Sequence, residues 1–103
     1  MAVVQAQAIA DSTPSTPVKL FTAPADCVVN VFCCNDDSSP QQAFVEVRLQ
    51  DASQAPEQLL VPGVVIPPNE RILEGSIYLT AGDAIYVYGT ADTQVFHLYG
   101  QTL

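Results

Sequence analysis

The stretch Ala43-Phe44-Val45-Glu46-Val47-Arg48-Leu49-Gln50 sets Ala, Val, Val and Leu on its odd positions and Phe, Glu, Arg and Gln on its even ones. A repeat of two residues belongs to an extended chain, because successive side chains of a strand leave on opposite faces. One face of this stretch is then expected in a core and the other in solvent. The run from Cys27 to Cys34 has the same period: Cys27, Val29, Val31 and Cys33 form an apolar face, while Val28, Asn30, Phe32 and Cys34 form a mixed one. A mixed face of that kind calls for a cover, either the rim of a second sheet or another subunit. No amphipathic helical period competes with this pattern, and the only short candidate, residues 52–58, contains Pro56.

Enrichment in β-branched and aromatic residues predicts further strands over residues 18–22, 58–61, 70–73, 76–79, 84–88 and 94–99. Between them lies turn chemistry: Asn35 to Pro40, read as a hairpin joining the two best strands, then Pro62-Gly63, Pro67-Pro68-Asn69, Ala81-Gly82-Asp83 and Gly89-Thr90-Ala91-Asp92. About eight short strands with such punctuation predict an all-β chain, an antiparallel β-sandwich of the jelly-roll or Ig-like kind over residues 18–103. Residues 1–17 differ: a small, apolar beginning leads into a linker with Pro14 and Pro17. They are expected to form either a first edge strand with a long loop or an extended arm that adds a strand to a neighbouring subunit.

Functional chemistry is sparse. The only histidine, His97, lies in the apolar strand Gln94-Val95-Phe96-His97-Leu98-Tyr99 without an acidic neighbour, which reads as a core or interface residue. Cys27, Cys33 and Cys34 are an odd set; Cys27 and Cys33 would stand ~20 Å apart in an extended run, beyond disulfide reach. All three are expected reduced, with Cys27 and Cys33 as small buried hydrophobes and no metal cluster among them. The acids Asp36 and Asp37 fall at a turn, where their side chains serve the local backbone. No phosphate-cradling glycine loop occurs. No enzyme and no cofactor are expected.

Charge narrows the partners. Lys19, Arg48 and Arg71 stand against eleven acids, a formal net charge of −8. Phosphate backbones and anionic membranes are bound by clustered bases, so neither nucleic acid nor membrane is expected as a partner. No apolar run approaches the ~20 residues that span a bilayer as a helix, and the first residues lack the basic and apolar regions of a secretory signal. The expectation is synthesis and assembly in a cytoplasm. Candidate partner-contacting residues are the larger apolar ones of the arm, Val3, Val4 and Ile9, and the tyrosines Tyr86, Tyr88 and Tyr99. Tyr86 and Tyr88 share a parity opposite to Ile85 and Val87. With the latter in the core, both rings face outward and ask for a partner; aromatic rings on a β-surface also suit stacking on sugars.

The segments Leu20-Phe21-Thr22-Ala23-Pro24-Ala25, an apolar strand ending in Cys34-Asn35, Val65-Ile66-Pro67-Pro68-Asn69-Glu70, and Leu79-Thr80-Ala81-Gly82-Asp83-Ala84-Ile85-Tyr86-Val87 together resemble a group of small β-sandwich virion proteins of tailed bacteriophages. The likeness runs over about residues 18 to 99; the corner reads Pro24-Ala25-Asp26 where the group has Pro-Ala-Gly, and residues 1–17 lie outside the pattern. The resemblance implies a virion component assembled in the host cytoplasm. A capsid decoration (cement) protein on the major capsid subunits comes first, and a tail, baseplate or fibre-base subunit second. It also implies a homo-oligomer, with a trimer as the first expectation. A carbohydrate- or receptor-binding module is the reading from another class.

Overall fold

Side-chain alternation is realised as eight strands: β1 (Val3–Ile9), β2 (Val18–Thr22), β3 (Cys27–Asn35), β4 (Gln41–Arg48), β5 (Leu59–Ile66), β6 (Arg71–Leu79), β7 (Ala84–Gly89) and β8 (Gln94–Thr102). The computed structural model describes residues 2–9, 16–50, 52–53, 58–91 and 94–103, and among these there is no α-helix. The strands form two antiparallel sheets, ordered β1-β8-β3-β6 and β2-β7-β4-β5. Pairing is nested: β1 with β8, β2 with β7, β3 with β6 and β4 with β5. That nesting is the wrap of a jelly roll, one long antiparallel ribbon folded over itself. Only the β4–β5 connection stays within a sheet; every other one crosses between the layers.

Three local expectations give way to this topology. The segment from Asn35 to Pro40 is not a hairpin, because β3 and β4 belong to different sheets. Pro62-Gly63 lies inside β5 rather than in a turn. The proline sits on an edge strand, where a missing N–H costs no ladder bond, and Gly63 takes φ 88° beside register shifts in the β4–β5 pairing. The predicted strands 70–73 and 76–79 are one strand, β6, with Ser76 at φ 56° and a register shift opposite Val29 and Val31. Residues 3–9 are an edge strand of the chain's own first sheet, paired with β8 throughout. The linker that follows lies outside the described residues from 10 to 15.

Between the layers the core is continuous. Cys27, Val29, Val31, Cys33, Phe96 and Leu98 of the first sheet meet Ala43, Val45, Val61, Ile85 and Val87 of the second, all at most 2% exposed. Burying each of the larger of these side chains stabilises the fold by about 1.5–3 kcal/mol. Two amides close one end. Asn35 Nδ2 donates to the carbonyls of Ser39, Ile66 and Pro67, and Asn35 Oδ1 accepts from the Asp37 N–H. Its register partner Gln94 donates to the Gln42 carbonyl and accepts from the Ala91 N–H. At the other end the Ala23 N–H donates to the Asp83 carbonyl, and the N–H of Gly82, at φ 94°, donates to the Ala23 carbonyl. The Ala23-Pro24 corner and the Ala81-Gly82-Asp83 turn thus hold one another.

Cys27 and Cys33 lie in this core as free thiols, while Cys34 is half-buried on the outer side. Burial, followed by the nearby Cys34 and Glu74, pushes the Cys33 thiol up to about 12; burial and then Asp26 and Asp83 raise Cys27. From pH 9 to 12 the unfolded chain therefore releases a proton that folded Cys33 keeps. Stability is unaffected by this thiol below pH 9 and falls by about 1.4 kcal/mol per unit above it. Thermal melts from pH 8 to 11 are expected to fall less steeply for Cys33→Ala than for the parent; parallel curves would refute the buried neutral thiol.

Candidate interaction surface

Residues pointing away from the core on the first sheet line up in rows fixed by register. Val3, Gln101, Val28 and Tyr78 form one row; Gln5, Tyr99 and Asn30 the next; then Gln7, His97, Phe32 and Leu73; and last Val95, Cys34 and Arg71. Tyr78, Leu73 and Tyr99 are 72%, 56% and 44% exposed, and Val3 74%. The rings of Phe32 and Tyr99 lie 5.3 Å apart at 45°, a tilted contact that holds Tyr99 in place at the middle of the face. None of these rows contains an acid, although the chain has eleven. Acidic groups stand at the ends instead, with Asp26 before β3 and Asp36, Asp37 and Glu70 beyond its far end.

Shallow hollows lie along the face, one of about 370 Å³ beside Gln5, Gln7, His97 and Tyr99 and two others sharing Cys34, Arg71 and His97. Of these two, one of about 340 Å³ is lined by Cys34, Asn35, Asp36, Asn69, Glu70, Arg71, Val95 and His97. The other, about 280 Å³, is lined by Phe32, Cys34, Arg71, His97 and Tyr99. Cys34 and His97 thus border the same hollows on neighbouring strands, but among the described residues no hydrogen bond joins them. No group of three or more His, Cys, Asp or Glu positioned to hold a metal ion occurs among the described residues.

On the second sheet β5 exposes Leu60, Val64 and Val65 at 44%, 43% and 57%, but the tyrosines of β7 are covered. Ile85 and Val87 are fully buried, so Tyr86 and Tyr88 do project outward, yet neither ring is bare. Tyr88 is 9% exposed and lies flat on its cross-strand neighbour Phe44, with ring centroids 4.5 Å apart and planes 3° from parallel. The Arg48 guanidinium stands 3.8 Å over the Tyr86 ring, and its Nε donates to Glu46 Oε1 at 3.0 Å. Glu46, expected in solvent by its parity, is 1% exposed beneath this assembly. Direct cross-strand placement of Glu46 against Tyr86 and Phe44 against Tyr88 is the physical reason.

The six residues singled out by sequence therefore part company. Val3 and Tyr99 share the outer face of the first sheet, and Ile9 takes its backbone place beside Val95 at the end of β1. Val4 turns inward and joins the core at 9% exposure, so its side chain is not presented to a partner. Tyr86 and Tyr88 lie on the other sheet. Sequence reasoning passed over Tyr78, Phe32 and Leu73 as surface residues. Parity placed Phe32 beside Val28 on the mixed face, but only the register brings Tyr78 and Leu73 alongside it. No protein-family model matches the chain, and no curated protein is similar enough to match.

Proposed function

We propose that this chain is a structural protein of a bacteriophage virion, a capsid decoration protein that seats the outer face of its first sheet on major capsid subunits. The observation that carries the reading is the acid-free face with exposed Tyr78, Leu73 and Tyr99 in a chain of net charge −8. An acid-free centre carrying aromatic rings, with acidic ends, suits a partner patch rimmed by basic residues, with the charges steering approach and the aromatic residues supplying affinity. Jelly rolls serve as capsid and lectin domains, an analogy of architecture that supports this reading. A tail, baseplate or fibre-base position would use the same surface chemistry.

Purified protein is expected to bind expanded shells that lack it and to raise their melting temperature. Tyr99→Ala and Leu73→Ala are each expected to weaken binding by about 2 kcal/mol, roughly thirtyfold, with the fold intact. Failure of the parent protein to bind shells or shift their melting would sink the decoration role. The Phe32–Tyr99 pair beside the smallest of these hollows favours one second reading, a carbohydrate-binding module. A glycan array answers it: selective binding that Tyr99→Ala abolishes supports that reading, and silence across the array excludes it for the sugars displayed.

A further inference from the structure

Each sheet exposes two edge strands, and three of the four carry features that discourage pairing with another chain. β2 has Lys19 beside a register shift between Lys19 and Phe21. β5 has Pro62, Gly63 at φ 88° and two register shifts. β6 has Arg71, Glu74, Ser76 at φ 56° and a shift opposite Val29 and Val31. β1 has none of these. Its sequence, Val-Val-Gln-Ala-Gln-Ala-Ile, holds no charge, proline or glycine, and its pairing with β8 runs unbroken from Val3 with Gln101 to Ile9 with Val95.

We propose that β1 joins two copies of this chain edge to edge, antiparallel about a twofold axis at Ala6, making one eight-stranded sheet. The backbone is ready for it. The Thr102 N–H donates to the Ala2 carbonyl, so by antiparallel alternation Val3, Gln5, Gln7 and Ile9 aim their N–H and C=O groups away from β8. An axis at Ala6 sets Gln5 opposite Gln7 of the second copy and Val3 opposite Ile9, which brings every one of those outward groups into a bonded pair.

A second copy, rather than some other strand, fits because β1 reads nearly the same in both directions. Val3 mirrors Ile9, Val4 mirrors Ala8 and Gln5 mirrors Gln7 around Ala6, so a twofold pairing sets β-branched against β-branched and amide against amide. Charge agrees. A net −8 chain repels its own kind, yet β1, β8 and β3 contain no acid anywhere along their length. The nearest strand that does, β6, lies about 14 Å from β1, beyond the ~8 Å screening length at physiological salt.

Pairing also enlarges the outer face. One four-stranded face covers about 450 Å² by strand spacing and rise, well short of the ~800 Å² per partner of standard interfaces, and two faces side by side reach about 900 Å². The pairing itself does not rest on the virion reading, since it concerns the isolated protein.

Sedimentation equilibrium of the full chain is expected to show a mass rising with concentration toward twice 11.0 kDa. Combining Gln5→Lys with Gln7→Lys opposes like charges across the axis and is expected to leave the single-chain mass. Gln5→Lys with Gln7→Glu opposes unlike charges and restores the doubled mass. Circular dichroism reports whether each variant folds. If the lysine pair does not, hydrogen exchange on the parent protein decides, because the Gln5 and Gln7 amides point outward and are slowed only when β1 is paired. A parent protein of single-chain mass up to millimolar concentration, a folded lysine-pair variant that keeps the doubled mass, or unslowed Gln5 and Gln7 amides in a doubled species would each overturn the proposal.

Discussion

Asn35→Asp is expected to destabilise the protein by about 3–5 kcal/mol at pH 7. The Asn35 side chain is 2% exposed, and its Nδ2 stands 3.0, 2.9 and 3.2 Å from the carbonyl oxygens of Ser39, Ile66 and Pro67. Exchanging that donor for a carboxylate oxygen keeps the shape and turns attractions into repulsions, with a charge taken out of water. A protonated carboxyl could donate to only one of the carbonyls, so part of the loss returns as pH falls. The sign is clear: these surroundings favour the neutral acid, so the folded carboxyl titrates above the ordinary ~3.9 of the unfolded chain. The penalty is then full above the raised value and shrinks as pH drops toward 4. Urea denaturation at pH 4 and pH 7 measures both parts. A loss below about 1 kcal/mol at pH 7 would show that this amide does not hold the β3–β4 and β5–β6 connections together.

Phe96→Ala is expected to cost a comparable 3–5 kcal/mol, for a different reason. Phe96 is fully buried on the inner face of β8, opposite Cys33 on one side and Ala8 on the other. Truncation removes the largest fully buried side chain of the core and leaves a hole between two sheets whose backbones are tied by ladders and cannot close over it. Tyr99, three residues on, is the control. At 44% exposure on the outer face of the same strand, its change to alanine is expected to alter unfolding free energy by no more than about 1 kcal/mol. Equal losses for the two variants, read by chemical denaturation, would mean that the inner and outer faces of β8 are wrongly assigned.

Much of the architecture was legible because its signals are local. Alternation over Ala43 to Val47 and over Cys27 to Cys33 matches the inward faces of β4 and β3, whereas Leu49, on the same parity, lies past the end of β4 and is 67% exposed. Asn69 and Gly82 adopt φ 59° and 94°, as their turn chemistry implied. Where the local signal misled, the cause was usually an edge. Pro62-Gly63 looks like a turn in any sequence, yet an edge strand bonded on one side only can carry both. Glu74-Gly75 looks like a break, yet β6 absorbs it by shifting register against β3. Glu46 looked solvated because parity tells which way a side chain points and nothing about what lies over it.

The sequence by itself determined which residues turn inward, because inside and outside alternate along each strand with a period that any neighbouring pair reveals. It also determined where the chain bends, through prolines, glycines and asparagines whose backbone preferences are their own. Only the tertiary structure decided which outward residues meet. Tyr88 rests on Phe44, Arg48 covers Tyr86, and Tyr78, Leu73 and Tyr99 share one acid-free face. Those neighbours come from strands far apart in the chain, and their pairing follows from how a nested ribbon closes two layers around a common core, a constraint that no local window of residues contains.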